Sequence, residues 1–212
     1  MLEYITVGSD YRYEETIRKS RFIARLFPVR NESDAVQMLT RIRKEDYQAT
    51  HHCWAYHLIA EPAPIIQYSD DGEPARTAGY PISQVLSGQG FYQVLLVVTR
   101  YFGGIKLGTG GLIKAYTTSA QGVIAKAVPV IHRRMVQLEL VFDHPQTGVV
   151  MHLVKEFHLK IINQDYNQQV FFLILCRPDQ VDHVTRACLD QTAGTLRPKV
   201  GDSVWIPVPA AE

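Results

Sequence analysis

Residues 93–111 read Gln-Val-Leu-Leu-Val-Val-Thr-Arg-Tyr-Phe-Gly-Gly-Ile-Lys-Leu-Gly-Thr-Gly-Gly. A strand with one face in water alternates apolar and polar residues, whereas a strand covered on both faces is apolar throughout. Gln93–Tyr101 is of the second kind, so it is expected to be a central strand packed from both sides. Five glycines fall in the nine positions from Gly103 to Gly111. Beyond them, Leu112, Ala115, Tyr116, Ser119 and Val123 recur at helical spacing, which predicts a helix over 112–128.

Working upstream, Tyr11–Val29 is rich in aromatic and β-branched residues and is expected to be extended. Asn31 has the chemistry of an N-cap, and Glu32 and Asp34 suit the positive end of a helix dipole. Ala35, Met38, Leu39 and Ile42 form one apolar helix face, so a helix is predicted to about Tyr47. His51–Ile59 and Ile65–Tyr68 are predicted strands. The segment between Asp70 and Gly79 is a polar loop, and Pro81 opens a short helix carrying Ile82, Val85 and Leu86.

Downstream, Val136, Leu138, Leu140 and Phe142 alternate with polar residues, as in a half-buried strand. A helix from His144-Pro145 to Phe157, strands at 159–163 and 168–177, a helix opened by Pro178-Asp179 and a last strand within 195–208 complete a βαββαβ order. That order is the ferredoxin-like pattern. The division is expected at 135/136, with His132-Arg133-Arg134 as linker. Charge changes sign there: residues 1–135 carry 16 basic and 12 acidic side chains, and residues 136–212 carry 6 and 9. The fold class is α+β in two domains, 1–135 and 136–212.

Composition excludes several classes. The formal net charge of +1 is far from that of a protein that coats nucleic acid indiscriminately. The longest apolar run, Val170–Cys176, is seven residues, and a spanning helix needs about 20. No membrane partner is expected. Cys53, Cys176 and Cys188 are odd in number and widely spaced, which predicts free thiols and a cytoplasmic location.

The glycine segment is the strongest candidate site. Glycines bring backbone amides close to a ligand, and a helix N-terminus favours an anion such as phosphate. Gly103, Gly104, Gly108, Gly110 and Gly111 are the candidate contacts, with Arg100, Lys106 and Lys114 as cations. Neither the P-loop pattern nor the dinucleotide fingerprint is present. A tight strand-to-helix turn is the alternative. The loop 69–77, Ser-Asp-Asp-Gly-Glu-Pro-Ala-Arg-Thr, is second. Asp70, Asp71 and Glu73 have the oxygen donors of a hard-cation site or of acid–base chemistry, and Arg76 is a candidate ion-pair partner. An Asp-Gly turn explains the same residues. Third, His51, His52, Cys53 and His57 lie on one predicted strand, too close together to converge on zinc, and no metal or cofactor is expected. Arg18, Lys19, Arg21 and Arg25 alternate with Phe22 and Phe27, a pattern found in single-strand nucleic-acid binders and equally in solvated strand faces.

Lys19-Ser20-Arg21-Phe22, Ala49-Thr50-His51-His52-Cys53-Trp54-Ala55, Ser69–Pro74 with Thr77-Ala78-Gly79, and Val98–Leu112 occur in one order. Together they resemble the IMPACT family, and the two-unit layout is similar to its bacterial YigZ-type members. The resemblance implies an N-terminal domain like the second domain of ribosomal protein S-five. It implies a C-terminal domain like the last domain of the translocating elongation factor. Eukaryotic members regulate translation initiation through an initiation-factor kinase. Part of their partner-binding region lies in an additional domain for which this chain has no room, so kinase regulation is not expected here. For bacterial members the resemblance implies ribosome or nucleic-acid binding, and it brings no catalytic residues.

The resulting expectation is an RNA- or ribosome-binding protein that modulates translation, with the glycine segment on backbone phosphate, His51, His52, Asp70, Asp71, Glu73 and Arg76 as accessory residues, and no DNA specificity. The alternative is an enzyme acting on a phosphorylated small molecule through the acidic loop at 70–73.

Overall fold

A computed structural model describes residues 1–208; residues 209–212, which the expected second domain included, lie outside the described residues. The chain forms two compact units, one of residues 4–131 and one of residues 1–3 with 132–208. The dividing point therefore lies four residues before the expected 135/136. His132-Arg133-Arg134 is no linker loop but part of strand β7 (Pro129–Phe142). Residues before Tyr11 also form a strand, β1 (Glu3–Val7), which the sequence pattern does not predict.

In the first unit the extended segment at 11–29 is a hairpin of β2 (Tyr11–Ile17) and β3 (Ser20–Pro28). Ile17 pairs with Ser20 across the two-residue turn Arg18-Lys19, whose φ angles are +44° and +66°. Both central residues of a type I′ turn are left-handed, and its twist matches that of the paired strands. Helix α1 (Glu32–Glu45) starts as read: the Asn31 side chain accepts from the Asp34 N–H at 2.9 Å. Strands β4 (His51–Leu58), β5 (Ile65–Ser69) and β6 (Val94–Tyr101) and helices α2 (Gly79–Gly88) and α3 (Gly108–Ile124) complete the unit.

The sheet order is β2-β3-β6-β4-β5, antiparallel throughout, and β6 is the middle strand. Its alternate residues serve two cores. Leu95 and Val97 pack with Ala35, Leu39 and Ile42 of α1. Val94, Leu96 and Val98 pack with Ile82 and Leu86 of α2 and with Tyr116, Ala120 and Val123 of α3. This two-sided cover is why the strand is apolar without alternation.

In the second unit, helices α4 (Thr147–Glu156) and α5 (Val181–Gln191) accompany strands β7, β8 (Lys160–Tyr166), β9 (Val170–Cys176) and β10 (Lys199–Val208). The order β10-β7-β9-β8 is the ferredoxin-like arrangement, and β1 also pairs with β7. Leu138, Leu140, Phe172 and Ile174 of the sheet pack with Val150 and Leu153 of α4 and with Val184 and Cys188 of α5. The molecule is thus of the α+β class. Among the described residues, no helix is long and apolar enough to cross a membrane.

Candidate functional site

Helix α3 begins at Gly108, four residues earlier than its apolar pattern suggests, so Gly108, Gly110 and Gly111 lie in its first turn and not in a loop before it. Glycine is a poor helix former, and this hid the true start. Gly104 and Gly108 take φ of +83° and +73°. Gly103 meets a different demand. A Cβ there would lie 2.0 Å from the Lys19 carbonyl oxygen, so the glycine segment and the hairpin turn touch backbone to backbone. The Gly103 N–H donates to Ser20 Oγ at 3.2 Å. Gly110 is unconstrained: a Cβ there would meet nothing within 4 Å.

This contact brings the turn Arg18-Lys19, within the segment 11–29 expected to be extended, toward the start of α3. Arg18 and Lys114 line one concavity of about 520 Å³ with Leu107, Gly111 and Glu15, whose Oε1 accepts from the Thr118 and Ser119 hydroxyls at 3.1 and 2.7 Å. Lys106 and Lys114 are exposed, and α3 has no side-chain cap over its first-turn amides. Among the described residues, the side chains of Arg18, Lys19, Lys106 and Lys114 have no hydrogen-bond or ionic partner. Arg21 and Arg25 are engaged elsewhere. Arg21 lies 4.5 Å over the Tyr101 ring and Arg25 pairs with Asp46. The alternating cations thus divide by position, and only the two in the turn are free.

Arg100, expected among the phosphate contacts, is buried in an ion pair. Its side chain points inward, 6% exposed, with Nη1 2.6 Å from Glu73 Oε1 and Nη2 3.3 Å from Ser20 Oγ. Its guanidinium carbon lies 5.5 Å from the Phe22 ring centroid and 5.4 Å from that of Phe102. It is not open to a phosphate.

The acidic loop is likewise spent on architecture. Asp70 Oδ1 accepts from the Ala78 and Gly79 N–H groups at 2.9 and 2.8 Å, so it caps α2 from a distance in sequence. Its Oδ2 accepts from the Arg76 N–H at 2.7 Å. Asp71 Oδ1 pairs with Arg43 at 2.6 Å, and its Oδ2 accepts from the His52 N–H at 2.7 Å. Glu73 Oε1 also accepts from the Tyr116 hydroxyl at 2.8 Å. Burial pushes the Tyr116 hydroxyl far up, so it stays protonated and donates. Arg76 meets the loop carboxylates only through its backbone, and its guanidinium lies 4.2 Å over the Tyr80 ring. Among the described residues, no group of three or more His, Cys, Asp and Glu side chains is arranged to hold a metal ion.

The histidines separate. His51 Nδ1 lies 2.8 Å from the Asp71 carbonyl and Nε2 3.9 Å from Glu73. His52 is buried beside Thr99, with Nδ1 3.2 Å from its hydroxyl, and burial pushes its pKa down. Cys53 is buried 3.0 Å from the Asp70 carbonyl, and burial pushes its thiol far up, which removes it as a nucleophile. Cys176 and Cys188 are buried free thiols too, each pushed up to about 11.

His57 is fully buried, with Nε2 2.9 Å from Ser83 Oγ, and burial pushes its pKa from 6.5 down to about 4. Below pH 6.5 the unfolded chain takes up a proton that the folded one refuses until about pH 4. The contribution of His57 to stability is therefore fully present above pH 6.5 and is lost between 6.5 and 4, on the order of 3 kcal/mol. Urea midpoints of the parent and His57→Gln at several pH values check this. An equal acid dependence in both would assign it to other groups.

The fold defines a two-unit α+β protein whose first unit carries an open, basic helix end. The Impact N-terminal domain model matches residues 18–124, and a domain of unknown function, DUF1949, matches residues 140–195. An IMPACT family member of Haemophilus influenzae is 32% identical over 92% of this chain and 96% of its own. The IMPACT family member YigZ of Escherichia coli is 33% identical over 86% and 90%. A crystal structure of a hypothetical protein, 31% identical, superposes with a TM-score of 0.61 over 93% of this chain and 97% of the other. The chain belongs to the IMPACT family.

Proposed function

We propose that this protein works in the cytoplasm by binding the phosphate backbone of RNA, on the ribosome or free, and so modulates translation. One observation carries the proposal: Arg18 and Lys114, without partners among the described residues, line a concavity at the uncapped first turn of α3. Its acidic lining residue, Glu15, accepts from the Thr118 and Ser119 hydroxyls, and the unpartnered Lys19 and Lys106 lie next to the lining in the chain. Such cations and open amides attract phosphate and contribute no base reading of their own. The carboxylates of the loop 70–73 are occupied by backbone amides and arginines, which favours this reading over chemistry on a phosphorylated small molecule.

Lys106→Ala is expected to weaken binding to all RNA sequences alike. On a single strand it should flatten the slope of log K against log salt by about 0.7, one phosphate contact. Gly110→Val places a branched side chain among the amides at a position with room for it. It should lower affinity while leaving the melting temperature unchanged or slightly higher, because valine is the better helix former. Fluorescence titrations at several salt concentrations, with thermal unfolding of each variant, make the test. An unchanged slope for Lys106→Ala together with unchanged affinity for Gly110→Val would reduce this end of α3 to architecture.

A further inference from the structure

We infer that the RNA taken by this surface is single-stranded, and that Phe102 is the platform on which one base stacks. The inference rests on the phosphate site proposed above and names its substrate class. Phe102 is 47% exposed although it stands at the head of the glycine segment, and Ile105, three residues on, is 40% exposed. An aromatic ring in water at that place gains nothing for the fold from its outer face.

Arg100 covers one face of the ring, and the backbone that carries the ring is fixed on both sides. Arg100 lies under it, sandwiched against the buried ring of Phe22 and tied to Glu73 and Ser20. The Phe102 N–H donates to Thr50 Oγ1 at 3.1 Å, and the next N–H, of Gly103, donates to Ser20 Oγ. Gly104 follows with open space where a side chain would be, so nothing there shades the ring. Lys106 comes four residues after Phe102, and the Lys19 backbone lies against Gly103. An exposed aromatic face in the same segment as an unpaired cation, with a second cation in the turn packed against Gly103, is the pairing of features that single-strand binders use. Every base has a π-face to stack, and the backbone supplies the charge. In a duplex the base faces are already stacked on one another, and the A-form major groove is too deep and narrow for side chains to read. Arg100, excluded from phosphate contact, has a positioning role here: it holds the ring.

The probes are a fluorescent oligouridylate of about 12 nucleotides and an RNA duplex of similar length, with the full chain. The parent protein should bind the single strand more tightly. Phe102→Leu keeps an apolar cover over Arg100 but removes the aromatic face. It should weaken single-strand binding by about 5- to 150-fold, as loss of one stacked base does, leaving duplex affinity and the salt slope unchanged. Phe102→Tyr should retain affinity. Equal binding of both RNAs by the parent, or an unchanged single-strand affinity in a Phe102→Leu protein with parental melting temperature, overturns this inference and leaves the phosphate site standing. Absence of salt-dependent binding to either RNA overturns both.

Discussion

Glu73→Ala is expected to destabilise the first unit by about 3–5 kcal/mol, because it leaves the Arg100 guanidinium buried without its counter-charge. The two side chains are 4% and 6% exposed and 2.6 Å apart. The substitution also removes the acceptor of the Tyr116 hydroxyl, which lies in α3. One oxygen thus ties the acidic loop to β6 and to the helix whose first turn forms the candidate site. Urea unfolding should show a lower midpoint, and the melting temperature should fall by about 10 °C or more. Replacing both partners, Glu73→Leu with Arg100→Met, should cost less than Glu73→Ala alone, since no charge is then left inside. A loss below about 1 kcal/mol for Glu73→Ala would mean that water reaches Arg100, and the buried pair would have to be discarded.

Gly103→Ala should be of comparable severity by a different route. Its methyl group would stand 2.0 Å from the Lys19 carbonyl oxygen and 2.5 Å from the Ser20 nitrogen, and both of these atoms are backbone. The turn that carries them is pinned by the β2–β3 pairs on either side, so it has little room to retreat. The expected loss is above about 3 kcal/mol, with RNA affinity falling as Arg18 and Lys19 are pushed from α3. Gly104→Ala meets nothing in space, yet its φ of +83° costs about 1–2 kcal/mol. Gly110→Ala has neither obstacle and should be neutral or slightly stabilising. The order 103, 104, 110 in denaturant midpoints separates steric contact from backbone conformation. If Gly103→Ala unfolds at the parental midpoint, the contact with the hairpin turn is absent in solution.

Much of the fold was legible locally. The continuous apolar run of β6 and the Asn31 cap and period of α1 each lie within a short window, and the βαββαβ order is a succession of such windows. Family membership was carried by motifs quoted in order along the chain. The hairpin turn was missed because Arg18-Lys19 lacks the glycine or asparagine that usually marks left-handed φ.

The candidate site divides along the same line. The sequence by itself determined which residue types were present for chemistry: glycines before a helix, lysines within it, three carboxylates in a loop. Tertiary structure decided their employment. Asp70 was claimed by the amides that open α2, Asp71 by Arg43 and His52, and Glu73 by Arg100 across 27 residues. Packing alone set the hairpin turn against a glycine 83 residues after Ser20, placing two cations beside α3. Helix periods and caps follow from interactions within a few residues of chain. Whether a charge is buried with a partner or left facing water depends on which distant segment packs over it.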